Sequence, residues 1–293
     1  MSDRIAGESP QEAQANRESR TALGVATLRA VHQILDAEPK ILDDTVIVPL
    51  LGAGATVRIR AAPGRFNSPD VRALRSHVLL RSRFAEDRLE EAVDRGVRQF
   101  LVLGAGLDTF AYRQPHWARP LRIFEVDQPA SQQAKRQRLT AAHITVPPNV
   151  RFIEADFEHR TLPDILSTGG VALDQPAFIS WLGVTVYLTE AAIDAVFRFV
   201  ASLPLGSELV FTFYTKEATE SRPRTEMAAR AAELGEPFVT WFDPVDLDGR
   251  LRGFGFSEVS FLTPQEAIER YFPRPRADHL PPPRRINTAS AVV

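Results

Sequence analysis

The chain has 293 residues, no cysteine, 44% apolar and 25% charged residues, with 35 Lys+Arg against 37 Asp+Glu. Those proportions allow one large globular domain or two small ones. The missing sulfur excludes disulfide scaffolds, zinc ribbons, iron–sulfur clusters and cysteine nucleophiles. A net charge of −2 supplies no excess of cations for a phosphate backbone, so no nucleic-acid partner is expected.

The first 20 residues are polar, and Asp3, Glu8, Glu12 and Glu18 interrupt any apolar core of a signal peptide; a loose arm is expected. From Thr21, Leu23, Ala26, Ala30, Val31, Ile34 and Leu35 recur at helical spacing, which predicts an amphipathic helix ending before Pro39. In 44–55, Pro49 argues against a central strand, so Gly52 and Gly54 read as a turn rather than a nucleotide loop.

Between Phe84 and Gly206 the pattern becomes regular. Ala85, Leu89, Ala92 and Val93 form a helical stripe that Gly96 stops. Apolar runs at 100–103, 121–127, 150–153, 177–184 and 208–213 read as buried strands. A polar helix is expected over 131–142, and Ile193, Val196, Phe197 and Val200 make another behind a Thr189 cap. Strands alternating with helices predict a parallel α/β sheet covered on both faces. The longest apolar stretch, 177–188, carries Ser180, Gly183 and Thr185. It falls short of the roughly 18 residues that span a bilayer, so no membrane partner and a cytoplasmic location are expected. Segment 216–240 breaks the rhythm with charge and proline and reads as an inserted helical piece beside the site. Within it, Arg222 and Arg224 either attract an acidic substrate or are solvated. The proline-rich 273–293 is expected to be an extended, solvated tail.

In an open parallel sheet, ligands bind beyond the C-terminal strand ends. The first strand ends in LGAGLDT (103–109), where Gly104 and Gly106 flank Ala105 and permit a tight turn against a ligand. A dinucleotide fingerprint wants a third glycine at 109; Thr109 stands there, which shifts weight from NAD to a ligand without a pyrophosphate. Asp127, 23 residues after Gly104, can accept both ribose hydroxyls of an adenosine or simply cap its loop, and the glycine turn favours the ribose role. Glu125, on the same side by alternation, is the fallback. At the third strand tip Asp156 can meet an adenine amine and Phe157 cover its face, or Asp156 can cap the next helix. Arg81 and Arg83 offer guanidinium forks for a carboxylate, although spacing alone makes them surface residues. Six scattered histidines show no metal spacing, and no GxSxG elbow exists.

The runs 81–113 (RSRFAEDRLEEAVDRGVRQFLVLGAGLDTFAYR), 124–129 (FEVDQP) and 180–189 (SWLGVTVYLT) resemble the leucine carboxyl methyltransferase-like family, in its bacterial S-adenosylmethionine (SAM)-dependent branch. The region 21–44 also resembles the N-terminal helices of that branch. The resemblance implies a Rossmann-like class I methyltransferase. Its seven-stranded, mostly parallel sheet would carry helices on both faces, a reversed last strand, an N-terminal helical cap (21–80), a SAM-binding core (81–215) and an inserted lid (216–240), with the rest of the sheet in 241–272. Carried over by position, the arginine for the methionine carboxylate falls on Arg83, the glycine loop on Gly104, Ala105 and Gly106, the ribose acid on Asp127, and the adenine side on Asp156 and Phe157. Where several relatives carry a glutamate at the strand-four tip, this chain has Leu182. SAM is the implied cofactor; the family includes protein carboxyl and polyketide-type O-methyltransferases and does not fix the acceptor, and a small molecule of secondary metabolism, O-methylated on a carboxylate or hydroxyl, is the expected partner. Tyr187 and Tyr214 are candidates to hydrogen-bond that acceptor, or are core tyrosines. The competing readings are an NAD-dependent oxidoreductase, disfavoured by Thr109, and a SAM-binding module without catalysis, favoured only by Leu182.

Overall fold

A computed structural model describes residues 20–155, 161–215 and 237–293. The expected arm, the bulk of the expected lid with Arg222 and Arg224, and the pair Asp156 and Phe157 lie outside the described residues. Helix α1 (Arg20–Leu35) matches the apolar stripe that begins at Thr21. The proline-bearing stretch after it forms the short helices α2 (Ile47–Leu50) and α3 (Ala55–Ala61), turning at Gly52 with φ +90°.

Helix α4 (Pro69–Asp94) is 26 residues long, nearly three times the span of the stripe at 85–93. Its N-terminal half buries Arg75, Ser76, Arg81 and Ser82, and buried polar residues erase the apolar period that reveals a helix. Ser68 caps it, accepting the Val71 N–H, with Pro69 at the first helical position.

The core then alternates: β1 (Gln99–Leu103), β2 (Arg122–Asp127), α5 (Pro129–Ala141), β3 (Val150–Glu154), α6 (Leu162–Thr168), β4 (Phe178–Trp181), α7 (Glu190–Ala201) and β5 (Glu208–Thr212). After α8 (Pro244–Phe254), β6 (Glu258–Phe261) and α9 (Pro264–Tyr271), the chain ends in β7 (Thr288–Val292). Thr189 caps α7 through the Ala192 N–H, as its position before the apolar stripe predicts.

Seven strands form one sheet in the order β3-β2-β1-β4-β5-β7-β6, parallel except where β7 pairs with β5 and β6. The reversed strand corrects one expectation. The tail read as extended and solvated ends as an internal strand, with Thr288, Ala289, Ser290 and Ala291 all buried. A Thr-Ala-Ser-Ala run lacks the large β-branched or aromatic side chains by which strands are recognised.

Alternation along the strands divides the core into two layers. Phe100, Val102, Ile123, Phe178 and Val210 pack against Phe84, Ala85 and Leu89 of α4. Leu101, Leu103, Phe124, Ile179, Trp181 and Phe211 pack against Phe197 and Val200 of α7 and Leu251 of α8. Helix α4 lies antiparallel over β5. Arg88 and Arg95 pair with Glu208 at 2.6 and 2.5 Å, while His77, near the other end of α4, meets Tyr214 just past β5. That antiparallel course carries Arg81 and His77 over the edge of the sheet where a parallel fold binds its ligand.

Candidate functional site

Strand order reverses between β1 and β4, and a cleft of about 590 Å³ opens there at the C-terminal strand ends. Its floor is the turn after β1. Gly104, at φ +67°, leaves no room for a side chain: a Cβ there would lie 2.5 Å from Val184 Cγ2. The amides of Gly104 and Ala105 both donate to the Val126 carbonyl, at 2.8 and 3.2 Å, which ties the turn to β2.

Asp127 closes the same corner from the β2 tip. Its Oδ2 accepts the Gly106 N–H at 2.5 Å and its Oδ1 the Gln128 N–H at 2.7 Å. The Ser131 side chain also hydrogen-bonds this carboxyl, and of about four lone-pair sites on the two oxygens these three bonds leave capacity for a ligand hydroxyl. Burial raises the pKa of this carboxyl, against those two amides and Lys135. Glu125, the fallback, is not on the cleft wall: it is fully buried, 2.7 Å from Lys135 Nζ, and accepts the Tyr112 hydroxyl at 2.9 Å.

The two α4 arginines separate. Arg83 does not line the cleft; its side chain is 47% exposed and pairs with Asp87 at 2.7 Å, one helical turn away. Arg81 is 7% exposed and lines the cleft. Its guanidinium lies over Gly183, where a Cβ would sit 2.7–3.0 Å from it, and Gly183 has φ +76°. Arg81 makes no ion pair or hydrogen bond with any described residue, and its Nε is buried without a partner. Burial lowers its pKa, with the Tyr214 and Tyr187 hydroxyls acting in the opposite sense. A desolvated cation facing a cleft without a counter-ion is a site for an anionic group.

Leu182 also lines the cleft, an apolar side chain at the β4 tip packed against the α4-side core. Tyr187, on the turn after β4, lines it too. Tyr214 is 8% exposed and does not; it stands behind Phe238, whose ring centroid is 5.5 Å from Tyr214 and 5.6 Å from Tyr187.

Arg29 and Asp108 line the cleft without having been expected from the sequence. Arg29, on α1, is 2.7 Å from Asp44 and 3.4 Å from Asp108, and donates to Thr109 Oγ1 at 2.9 Å. Burial opposes the Asp108 charge, but Arg29, Lys135 and Arg113 outweigh it and hold its pKa below the ordinary value. Thr109, where a dinucleotide fingerprint wants glycine, is wholly buried and donates to Asp44 at 2.8 Å. The available signal was LDT directly after GAG, a run in which the polar residues anchor the turn to the helical cap.

The residues present fit SAM. Ribose acceptors sit at one end, a glycine turn lies beneath, and an unpaired guanidinium at the other end suits the methionine carboxylate. Among the described residues no cluster of His, Asp or Glu has the makings of a metal site, and no helix is long and apolar enough to cross a membrane.

Comparison with known proteins bears on the family and the fold. The family model described as leucine carboxyl methyltransferase matches residues 22–201. YktD of Bacillus subtilis, named as an S-adenosyl-L-methionine-dependent methyltransferase, is 33% identical over 208 residues, 69% of this chain and 67% of its own. A Mycobacterium marinum protein of the same description is 30% identical over 250 residues, 83% of this chain and 80% of its own. Among solved structures, a DUF574 family protein from Streptomyces avermitilis superposes with a TM-score of 0.54 at 17% identity, covering 95% of this chain and 99% of the other. A methyltransferase from Thermobifida fusca gives 0.53 at 21% identity, over 83% and 91%. At those identities the structures speak for the fold alone.

Proposed function

The chain belongs to the leucine carboxyl methyltransferase family and is a SAM-dependent methyltransferase; from the shape of its cleft we propose that it methylates an oxygen atom of a small molecule. The observation that carries this reading is the half-open cleft of about 590 Å³, within the range of small-ligand pockets. Adenosine and methionine extend between Asp127 and Arg81, and the remaining volume suits a compact acceptor rather than a folded protein surface.

Arg81 takes the methionine carboxylate, Asp127 the ribose hydroxyls, and the backbone of Gly104, Ala105 and Gly106 supports the ligand between them. Asp108, held ionised, replaces the absent carboxylate at Leu182 as the partner for the ammonium. When bound, SAM supplies an electrophilic methyl group on a sulfonium. The protein's contribution is alignment of the acceptor with that group, which converts an encounter into an intramolecular step. A carboxylate acceptor needs no proton removed, whereas a hydroxyl does. Tyr187, on the cleft wall past β4, is placed to hydrogen-bond the acceptor; Tyr214, behind Phe238, supports that wall.

Incubation with methyl-labelled SAM and a size-fractionated cell extract tests the reading. Label should appear in the low-mass fraction together with S-adenosylhomocysteine (SAH). Label on protein only would overturn the small-molecule reading, and SAH binding without transfer to any fraction would favour a binding module.

A further inference from the structure

Glu125 stands two residues before Asp127 on β2 and faces the same side of the sheet, yet it does not line the cleft. It is wholly buried and pairs with Lys135 of α5, whose Nζ lies 2.7 Å from Oε2. Lys135 is itself only 1% exposed. Tyr112, on the turn after β1, clamps both partners. Its hydroxyl donates to Glu125 Oε2 at 2.9 Å, and its ring centroid is 5.4 Å from Lys135 Nζ. Glu125 Oε1 is buried without a hydrogen bond. A buried ion pair left partly unsatisfied is weak evidence for stabilisation, so its position is the more informative feature.

Ser131 lines the cleft and hydrogen-bonds Asp127. Lys135 follows Ser131 by one helical turn, so its ammonium stands on the same face of α5, behind the ribose corner. Tyr112 follows Asp108 through a short turn in which the Asp108 carboxylate accepts the Phe110 N–H at 2.9 Å. The pair therefore lies beneath both carboxylates assigned to the cofactor. Burial disfavours the charge on each of them, and Lys135 favours it on both. Asp108 is also faced by Arg29 of α1, which shares Asp44 with Arg113 from beyond the turn, and by Arg81 and Glu86 of α4. Asp127 is also faced by the Gly106 and Gln128 amides, and its register partner on β3, Glu154, is exposed to solvent.

Resting on the assignment of Asp127 and Asp108 to SAM, we infer that Lys135 is a positioning residue for the cofactor: its ammonium, held by Glu125 and Tyr112, keeps both acids as carboxylates in a corner shielded from water. Only the ionised forms present acceptors alone to the ribose hydroxyls and a counter-charge to the ammonium of the methionine end. Glu125 tempers the Lys135 charge, so removing the two members of the pair has opposite effects. Without Lys135 the two acids take up protons at higher pH. Without Glu125 the ammonium acts on them undiminished, and they take up protons at lower pH. A pair that served stability alone would give one sign for both, because removing either member leaves a buried charge uncompensated.

Calorimetric titration of SAH into the full chain at about pH 5 and about pH 8 tests this, read as the ratio of the two dissociation constants. Wild type should bind more weakly at the acid end. The ratio should be at least about fivefold larger for Lys135→Gln, the low end of coupling between linked groups. It should be smaller than wild type for Glu125→Gln, and close to wild type for Lys135→Arg, which keeps the cation. Should Lys135→Gln fail to fold, the sign of the Glu125→Gln change carries the test alone. An unchanged ratio in Lys135→Gln, an equal loss at both pH values, or a ratio that does not fall in Glu125→Gln would overturn the inference. Failure of wild type to bind SAH, or an affinity indifferent to Asp127→Asn, would instead strike the cofactor assignment on which it rests.

Discussion

Arg81 and Arg83 stand two positions apart on α4, and residues so spaced on a helix do not face the same way. One guanidinium therefore enters the cleft and the other, half-exposed, turns away from it to the largely buried Asp87. A family resemblance placed the carboxylate role on Arg83, because a short motif fixes residue types more firmly than helical phase. Arg83→Ala is expected to leave the SAH dissociation constant within about twofold, since an exposed pair contributes little; a tenfold loss in calorimetry would return the role to it. Gly183→Ala tests Arg81 from the other side. The added Cβ would require an unfavourable backbone at φ +76° and would press on the guanidinium. It should weaken SAH by about tenfold or more, and an unchanged affinity would show that Arg81 is not held there for the ligand. Asp127 and the glycine turn were legible because loop and strand tip form a local motif with a fixed spacing. Arg29 and Asp108 were not, because their roles arise from α1 folding back over the turn, a contact between residues 79 positions apart.

At the scale of elements, helices and strands with large apolar side chains were readable, and those built from polar or small residues were not. The first half of α4 and the whole of β7 illustrate the two failures, since tertiary burial there overrides weak local signals. The junction between α1 and the following loop holds a further device. His32 is fully buried, with Nδ1 2.8 Å from Asp36 Oδ2, and its Nε2 accepts the Ile41 N–H at 3.1 Å. The amide hydrogen bond requires a neutral ring with its proton on Nδ1, directed at Asp36, which also accepts Arg75 through both oxygens. Burial lowers the His32 pKa from 6.5, overcoming Asp36. The unfolded chain therefore binds this proton first as pH falls. Stability contributed by neutral His32 is fully present above about pH 6.5 and is lost as pH drops through the folded value, by at most about 1.4 kcal/mol per pH unit for one proton. Denaturant midpoints between pH 7.5 and 5 should fall more steeply for wild type than for His32→Gln; parallel curves would contradict this. Thr189→Ala at the α7 cap should cost about 1 kcal/mol, read from the same denaturation curves, and no measurable loss would show that the cap is redundant.

Across the whole molecule, the sheet supplies the cleft and the helical segment before it supplies the cover. Thr21, Ala22, Val25, Ala26 and Arg29 of α1 line the cleft opposite the strand tips. A ligand held between cap and sheet joins two parts of the chain, so it stabilises the folded state by linkage. SAH at 100 times its dissociation constant should add about 2.7 kcal/mol, a rise of roughly 5–10 °C in Tm for a chain of this size. Arg81 carries the complementary cost. An unpaired buried cation is unfavourable in the apo protein, so Arg81→Met should leave apo Tm no lower than wild type while weakening SAH. A lower apo Tm would mean that Arg81 holds the core rather than the ligand.

Calorimetric titration of SAH and NADH into wild type and Arg81→Ala bears on the central claim most directly. SAH should bind wild type and NADH should not. Loss of a charged partner from a buried site costs about 2–5 kcal/mol, so Arg81→Ala should weaken SAH at least about tenfold. NADH binding with SAH ignored, or an SAH affinity indifferent to Arg81, would contradict the account.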